Sequence, residues 1–307
     1  MRVNAVYQIL ERPKVYLSIG AVQWSKINQG SRGRIYLLAH PIWAFGGRSI
    51  YLYFKHKFSL ARRNVKLILL NNSASEDRMT KCLGFESYLI NHNIHVSESD
   101  FRVEPRPKKY DAVYMAQAKP FKRIHLARQV RSLYVITYFW PDVRDKNGLW
   151  DLHAFEPSVS HAEFNRDRIS ASEINRILNE SYCGLALSRK EGAMFSSMEY
   201  LFAGLPIVST KSIGGRDFFF DDRFVRIVKS DAEQVSEGVA EFKRLKLDPH
   251  IIRKVTLEKV MKSRKDFFDV VCDIAKREGA PLDESFEAFH NRIWGVDALE
   301  KLSVIIS

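Results

Sequence analysis

Cysteine is scarce in this 307-residue chain: Cys82, Cys183 and Cys272 are far apart and form no CxxC pair. That excludes a disulfide framework and a thiolate zinc site, and it fits a reducing compartment. No run approaches the roughly 20 apolar residues that a membrane-spanning helix needs. The opening MRVNAVYQILERPK is broken by charge before a leader-like apolar stretch can form. A cytoplasmic protein, peripheral at most on the inner face of a membrane, is therefore expected. No Asp-x-Asp triplet offers paired metal ligands, and Asp142…Asp145 and Asp221-Asp222 read as surface-loop carboxylates. Neither a metal nor a cofactor is expected. Fixed-period repeats and low-complexity tracts are missing too, and 46% apolar against 27% charged residues is a globular composition.

Acid is what the first quarter lacks. Residues 1–70 carry twelve basic residues against Glu11 alone, so most of the overall charge of +12 sits there. Such a field attracts anions: an anionic membrane surface, phosphorylated ligands or nucleic acid. No nucleic-acid reading motif accompanies it. A cationic solvated surface would show the same count.

Short apolar runs alternate with helical periodicities, which predicts an α/β fold. Arg34–His40 and Val65–Leu70 read as strands flanking a helix over Ser49–Arg63, with Ile50, Phe54, Phe58 and Ala61 on its apolar side. Ser75–Asn91 reads as the next helix. Asp100–Lys109, with Pro105 and Pro107, reads as a linker. A second series follows: strands near Ala112–Met115, Tyr134–Tyr138, Gly184–Leu187, Pro206–Ser209 and Arg226–Lys229, and helices over Arg123–Ser132, Ala171–Glu180, Ala193–Phe202 and Ala232–Arg244. The region from Pro249 onward is mainly helical, broken near Gly279–Pro281.

The densest signal is LALSRKEGAMFSSMEYLFAGLPIVST, Leu185–Thr210, which reads as strand, turn, helix, turn, strand. A strand feeding a helix puts the helix N-terminus at the carboxyl end of a sheet, where open α/β folds hold ligands. Amides of Gly192, Ala193 and Met194 would face that crevice. Glu191 and Glu199 are eight residues apart, which on one helix is roughly 12 Å along the axis and roughly 80° around it. Two carboxylates so placed could hold two diols, one on a hexose and one on a ribose. Ser188-x-x-Glu191 equally fits a capping box, in which both residues merely satisfy helix amides.

The segment resembles the signature of retaining GT-B glycosyltransferases, the type called family four or group 1. There E-x7-E follows "S…EG" and precedes A-G-x-P-V-V-S/T and a glycine loop. This chain has Glu191, Gly192, Glu199, Ala203–Thr210 and Gly214-Gly215. The resemblance implies two Rossmann-like domains facing a cleft, the N-terminal one shortened, with a helical C-terminal tail. It divides the chain into an acceptor-side domain 1–107, a donor domain 108–250, and helices over 251–307 that pack on both. It implies retaining transfer of a hexose from a UDP-, GDP- or ADP-sugar to a glycan or lipid-linked acceptor, as in cell-surface polysaccharide synthesis.

By the same resemblance, Glu191 and Gly192, Ala193 and Met194 contact the donor sugar, and Glu199 binds the ribose. At the first turn of the donor domain the family carries an arginine and, five residues later, a lysine, both on the diphosphate. Lys122 matches the lysine, but Gln117 stands where the arginine is expected. Arg123 or Lys119 could supply that charge. Gly46 and Gly47 match a glycine pair that lets the first domain approach the phosphates, although any tight turn uses glycine. Of His40, His56, His92 and His95, none is singled out as catalytic. A donor-binding partner protein without turnover is the alternative that Gln117 leaves open.

Overall fold

The structure, a computed structural model, describes residues 6–20, 27, 33–42, 46–138, 145, 147–295 and 304–306. Residues 43–45 of the PIWAFGG loop, and Asp142, lie outside these. Two six-stranded sheets organise the chain.

The first sheet opens on a hairpin, β1 (Val6–Leu10) and β2 (Lys14–Ile19), whose strands were not foreseen in the sequence. Parallel to β2 run β3 (Ile35–His40), β4 (Val65–Asn71) and β5 (Glu86–Leu89), with α1 (Gly47–Ala61) and α2 (Ala74–Cys82) between them. The inner strands β3 and β4 are almost wholly buried and mainly apolar because both faces are covered, whereas β5 is a half-buried edge. Tyr36, Leu38, Ile68 and Leu70 enter the large core shared with the rest of the chain. Ile35, Leu37, Leu67 and Leu69 turn the other way, toward Tyr53 and Leu60 of α1.

The second sheet is parallel throughout. Its strands are β6 (Tyr110–Gln117), β7 (Leu133–Tyr138), β8 (Glu163–Phe164), β9 (Ser181–Ala186), β11 (Ile207–Thr210) and β13 (Val225–Val228), in the order β13-β11-β9-β6-β7-β8. Between them lie the helices α3 (Leu152–Phe155), α4 (Ala171–Asn179), α5 (Phe195–Phe202) and α6 (Ala232–Leu245). A two-residue parallel pair, β10 (Lys190–Glu191) with β12 (Ile213–Gly214), stands above the sheet edge. Residues 101–109 join the sheets without helix or strand.

Two long elements then return to the first sheet. In α7 (Pro249–Arg277), Arg253 donates to the carbonyls of Glu98, Phe101 and Phe202. Further along α7, buried Arg264 pairs with Glu98 at 2.6 Å. In α8 (Phe286–Trp294), Arg292 donates to Ile9 O at 2.9 Å. Finally β14 (Val304–Ile306) pairs antiparallel with β1. No helix among the described residues is long and apolar enough to cross a membrane.

Three predicted helices are corrected. The one over Ser75–Asn91 ends at Cys82, because Gly84 at φ +74° turns the chain into edge strand β5. The one over Arg123–Ser132 is only a 3-10 turn, Ile124–Ala127, since Arg123 itself adopts φ +54°. On α1 the apolar side is corrected in part: Ile50 and Phe54 pack on the core beside buried Tyr53 and Leu60, but Phe58 is 65% exposed and Ala61 is exposed.

Candidate active site

Gly184 on β9 sets the position of α5. A Cβ there would lie 2.4 Å from the Tyr200 ring, so the helix packs directly on the strand. The Tyr200 hydroxyl accepts from Met115 N on β6 at 2.6 Å, which fixes the helix rotation. One residue earlier on α5, Glu199 then faces the carboxyl ends of β6 and β7.

Glu191 is not on that helix. It lies in β10, and the turn through Gly192 and Ala193 ends with Met194 at φ +57°, a left-handed conformation costly for a residue with a side chain. Helix α5 begins only at Phe195, so the expected helical spacing of the two glutamates is corrected. The capping-box reading falls with it, because the N-cap of α5 is Met194, well past Ser188, and no side chain caps that helix. The N–H groups of Ala193 and Met194 donate to no described residue.

A cleft of ≈ 790 Å³ opens here, lined by Lys119, Lys122, Glu191, Met194 and Glu199 and also by Thr137, Trp150 and Asn165. Lys122, on a 3-10 turn after β6, forms a short ion pair with Glu191, 69 residues later. The two side chains are only 13% and 8% exposed, so the pair is largely desolvated. Lys119 also lines the cleft, and no carboxylate among the described residues pairs with it. Gln117 stands at the same strand end.

Arg123 does not join them. Its guanidinium donates to Leu187 O, Thr210 Oγ1 and Ser230 Oγ, at 2.6, 2.7 and 2.9 Å. Its donors are taken up at the carboxyl ends of β9, β11 and β13, and it does not line the cleft. Gly46 caps α1 beside Lys190: a Cβ there would be 3.6 Å from Nζ. A Cβ on Gly47 would meet nothing within 4 Å, so no close approach demands glycine at that position.

Glu199 is half-buried, and its carboxyl group makes no hydrogen bond or ion pair with the described residues. Desolvation first, then the charge of Asp100, push its carboxyl up to about 7. Desolvation, followed by the charges of Glu191 and Glu199, raises the Tyr138 phenol, so that hydroxyl lies within electrostatic reach of both carboxylates. Toward β8, Asn165 occupies both the N–H and the C=O of Thr137. Thr137 lines the cleft, and its buried hydroxyl has no partner among the described residues.

What the sequence did not reveal is the seam opposite. Asn91 donates to Gly215 O at 2.8 Å and Asn93 to Ala193 O at 2.8 Å, so two amides from the first sheet hold both loops of the donor motif. Between them His92 lines the cleft, its ring 4.5 Å from that of Phe195. Burial pushes His92 down to about 4, leaving it neutral at neutral pH. Behind it, Trp294 Nε1 donates to His95 Nδ1, so neutral His95 carries its proton on Nε2 and donates to His40. The triplet Asn91-His92-Asn93 was the available signal, and the helix read over Ser75–Asn91 took in only its first residue.

Solved structures share this arrangement of two sheets. The Anabaena protein HepE in complex with UDP superposes with a TM-score of 0.56 over 77% of this chain and 72% of its own, at 12% identity. The fold is GT-B. The pneumococcal O-GlcNAc transferase GtfA, in complex with UDP and GlcNAc, gives 0.52 over 77% of this chain at 12% identity, and this chain spans 53% of its length. The sucrose-phosphate synthase of Thermosynechococcus elongatus gives 0.50 over 75%, also at 12%, and this chain spans 63% of its length. At such identities the GT-B fold is what is shared. No protein-family profile matches the chain, and no curated protein matches it by sequence.

Proposed function

We propose that this GT-B chain is a retaining glycosyltransferase that moves a hexose from a nucleotide-sugar to a glycan or lipid-linked acceptor, in cell-surface polysaccharide synthesis. The observation that carries the reading is the Lys122–Glu191 pair, formed in the cleft beside Glu199. In this reading residues 1–107 present the acceptor, 108–250 hold the donor, and 251–307 brace both. The sugar sits over β9, where Glu191 and the amides of Gly192, Ala193 and Met194 meet its hydroxyls and neutral His92 offers a ring nitrogen. Gly46 and Gly47 bound the phosphates from the first sheet.

The chemistry follows from charge. As the glycosidic bond breaks, the anomeric centre becomes oxocarbenium-like and the departing diphosphate gains negative charge. Lys122 leaves Glu191 to meet it, and Lys119 takes the place of the arginine missing at Gln117. The departing phosphate oxygen accepts the proton of the acceptor hydroxyl as that oxygen attacks from the same face, giving retention. Lysines rather than a metal ion hold the leaving group. The base extends toward β8, where the free Thr137 hydroxyl can bond its edge.

Calorimetric titration tests the donor assignment. UDP is tried first because HepE and GtfA bind it, then GDP and ADP. One of them is expected to bind, and Lys119→Ala should weaken that nucleoside diphosphate about tenfold while leaving the parent nucleoside unchanged. If none of the three binds, the reading fails. A second reading, a nucleotide-sugar-binding partner without turnover, is favoured only by Gln117; it would hold the donor yet release no free diphosphate.

Glu199 gives a pH signature. Ribose hydroxyls donate to a carboxylate, so they favour its ionised form. With a carboxyl at about 7, the ionised fraction rises about tenfold between pH 6 and 8, and affinity should rise in step. Glu199→Gln, which shares the titration of the phosphates, should lack this component; an unchanged profile removes Glu199 from the ribose. Stability runs the other way. The folded chain keeps a proton that an ordinary carboxyl releases near 4.5, so stability from this group falls as pH rises from about 4.5 through 7. The same variant should flatten that slope in thermal melts.

A further inference from the structure

Helix α1 leaves an apolar surface that the fold does not use. Tyr51 is 66% exposed, Phe58 65% and Leu52 38%, whereas Tyr53 and Leu60, across the helix, are buried. At about 3.6 residues per turn, Tyr51, Lys55, Phe58 and Arg62 fall on a single stripe, with Leu52 beside it. Lys55 and Arg62 are both exposed. From Gly47 to Arg63 the chain carries Arg48, Lys55, Lys57, Arg62 and Arg63 and no acidic residue.

Exposed aromatic and aliphatic side chains alternating with cations make one chemical demand from two directions. The apolar groups gain by leaving water, and the cations gain by meeting anions without being stripped of solvent. The boundary of an anionic bilayer satisfies both at once, since rings and a leucine enter the acyl margin while ammonium and guanidinium groups stay among the headgroups. A single-stranded nucleic acid would answer the cations and stack bases on the two rings, but it would leave Leu52 in water. A second copy of this chain, meeting face to face, would set Lys55 and Arg62 against the same cations of its partner. We propose that α1 is a membrane-docking face that lies flat on anionic lipid, inserting Tyr51, Leu52 and Phe58. The inference does not depend on sugar transfer, although a lipid-linked acceptor would be reached from such a surface.

Co-sedimentation of the full chain with vesicles tests it, using phosphatidylcholine alone and phosphatidylcholine mixed with phosphatidylglycerol. Partition onto the mixed vesicles is expected to exceed that onto the neutral ones by at least about tenfold and to fall with added salt. Tyr51→Ser with Phe58→Ser should lower it by about tenfold or more, and Lys55→Glu with Arg62→Glu by a similar factor. All four positions are exposed, so thermal midpoint and nucleotide affinity should stay at wild-type values, which separates a docking defect from misfolding and from failure of the donor site. Equal partition onto both vesicles, no partition at all, or wild-type partition by the serine variant would overturn the proposal. So would self-association that the same substitutions abolish, or binding of an oligonucleotide that competes with no vesicle.

Discussion

Lys122→Ala is expected to lower the turnover of sugar transfer by about 10²–10³-fold while changing donor KM far less. The reason is where its charge is used. In the resting site the Lys122 ammonium is held by Glu191 and lies 5.3 Å from the Phe121 ring centroid, with little water around it. A cation kept in a dry cleft needs little reorganisation when diphosphate charge develops beside it, so its benefit falls on the transition state. Removing it also leaves Glu191 buried without its cation, at a cost of about 3–5 kcal/mol by analogy with other broken buried pairs. Thermal melts must therefore accompany the kinetics. Lys122→Ala combined with Glu191→Gln discriminates: if the pair acts as one unit, the double variant should be no slower than Lys122→Ala alone. Wild-type turnover by Lys122→Ala would end the assignment.

The second sheet was legible because its strands advertise burial on both faces. Ile207–Thr210 is fully buried, and the preceding Gly204 and Pro206 mark the turn that feeds it. Lys122 and Glu199 were found in the cleft for the same reason: each sits just past a readable strand or on a readable helix. The first sheet was harder. Strand β1 is followed within three residues by a charged turn, Glu11-Arg12-Pro13, which hid the β1–β2 hairpin. Strand β5 is a half-buried edge whose Glu86 is satisfied by Lys66 and Arg277, the latter 191 residues away. Arg123 shows the limit most clearly. Its partners Leu187, Thr210 and Ser230 come from three separate loops or strands, so its orientation is a tertiary fact that local pattern does not encode. Phe58 is the converse, an apolar residue at apolar spacing that the fold nonetheless leaves in water.

The second large effect belongs to Gly215, which the motif alone marks as a loop glycine. A Cβ built on Gly215 would stand 2.2 Å from the Asn72 carbonyl oxygen and 2.5 Å from its carbonyl carbon, and backbone cannot rotate aside as a side chain can. Gly215 N also donates to Gly192 O, and Gly215 O accepts from Asn91, which donates at 3.0 Å to Asn72 O as well. One methyl group therefore forces apart the first sheet and the loop carrying Glu191 and Met194. Gly215→Ala should lower stability by about 1–3 kcal/mol, with the upper end favoured by rigid partners. It should also slow transfer, because the turn through Ala193 and Met194 loses its brace from Asn93. Gly47→Ala is the matched control. Its Cβ meets nothing within 4 Å at the start of a 15-residue helix, so it should be neutral or slightly stabilising. Parallel melts of the two variants separate the explanations: equal midpoints would mean that the seam tolerates a methyl group, and that Gly215 is retained for the ligand rather than for closure against Asn72.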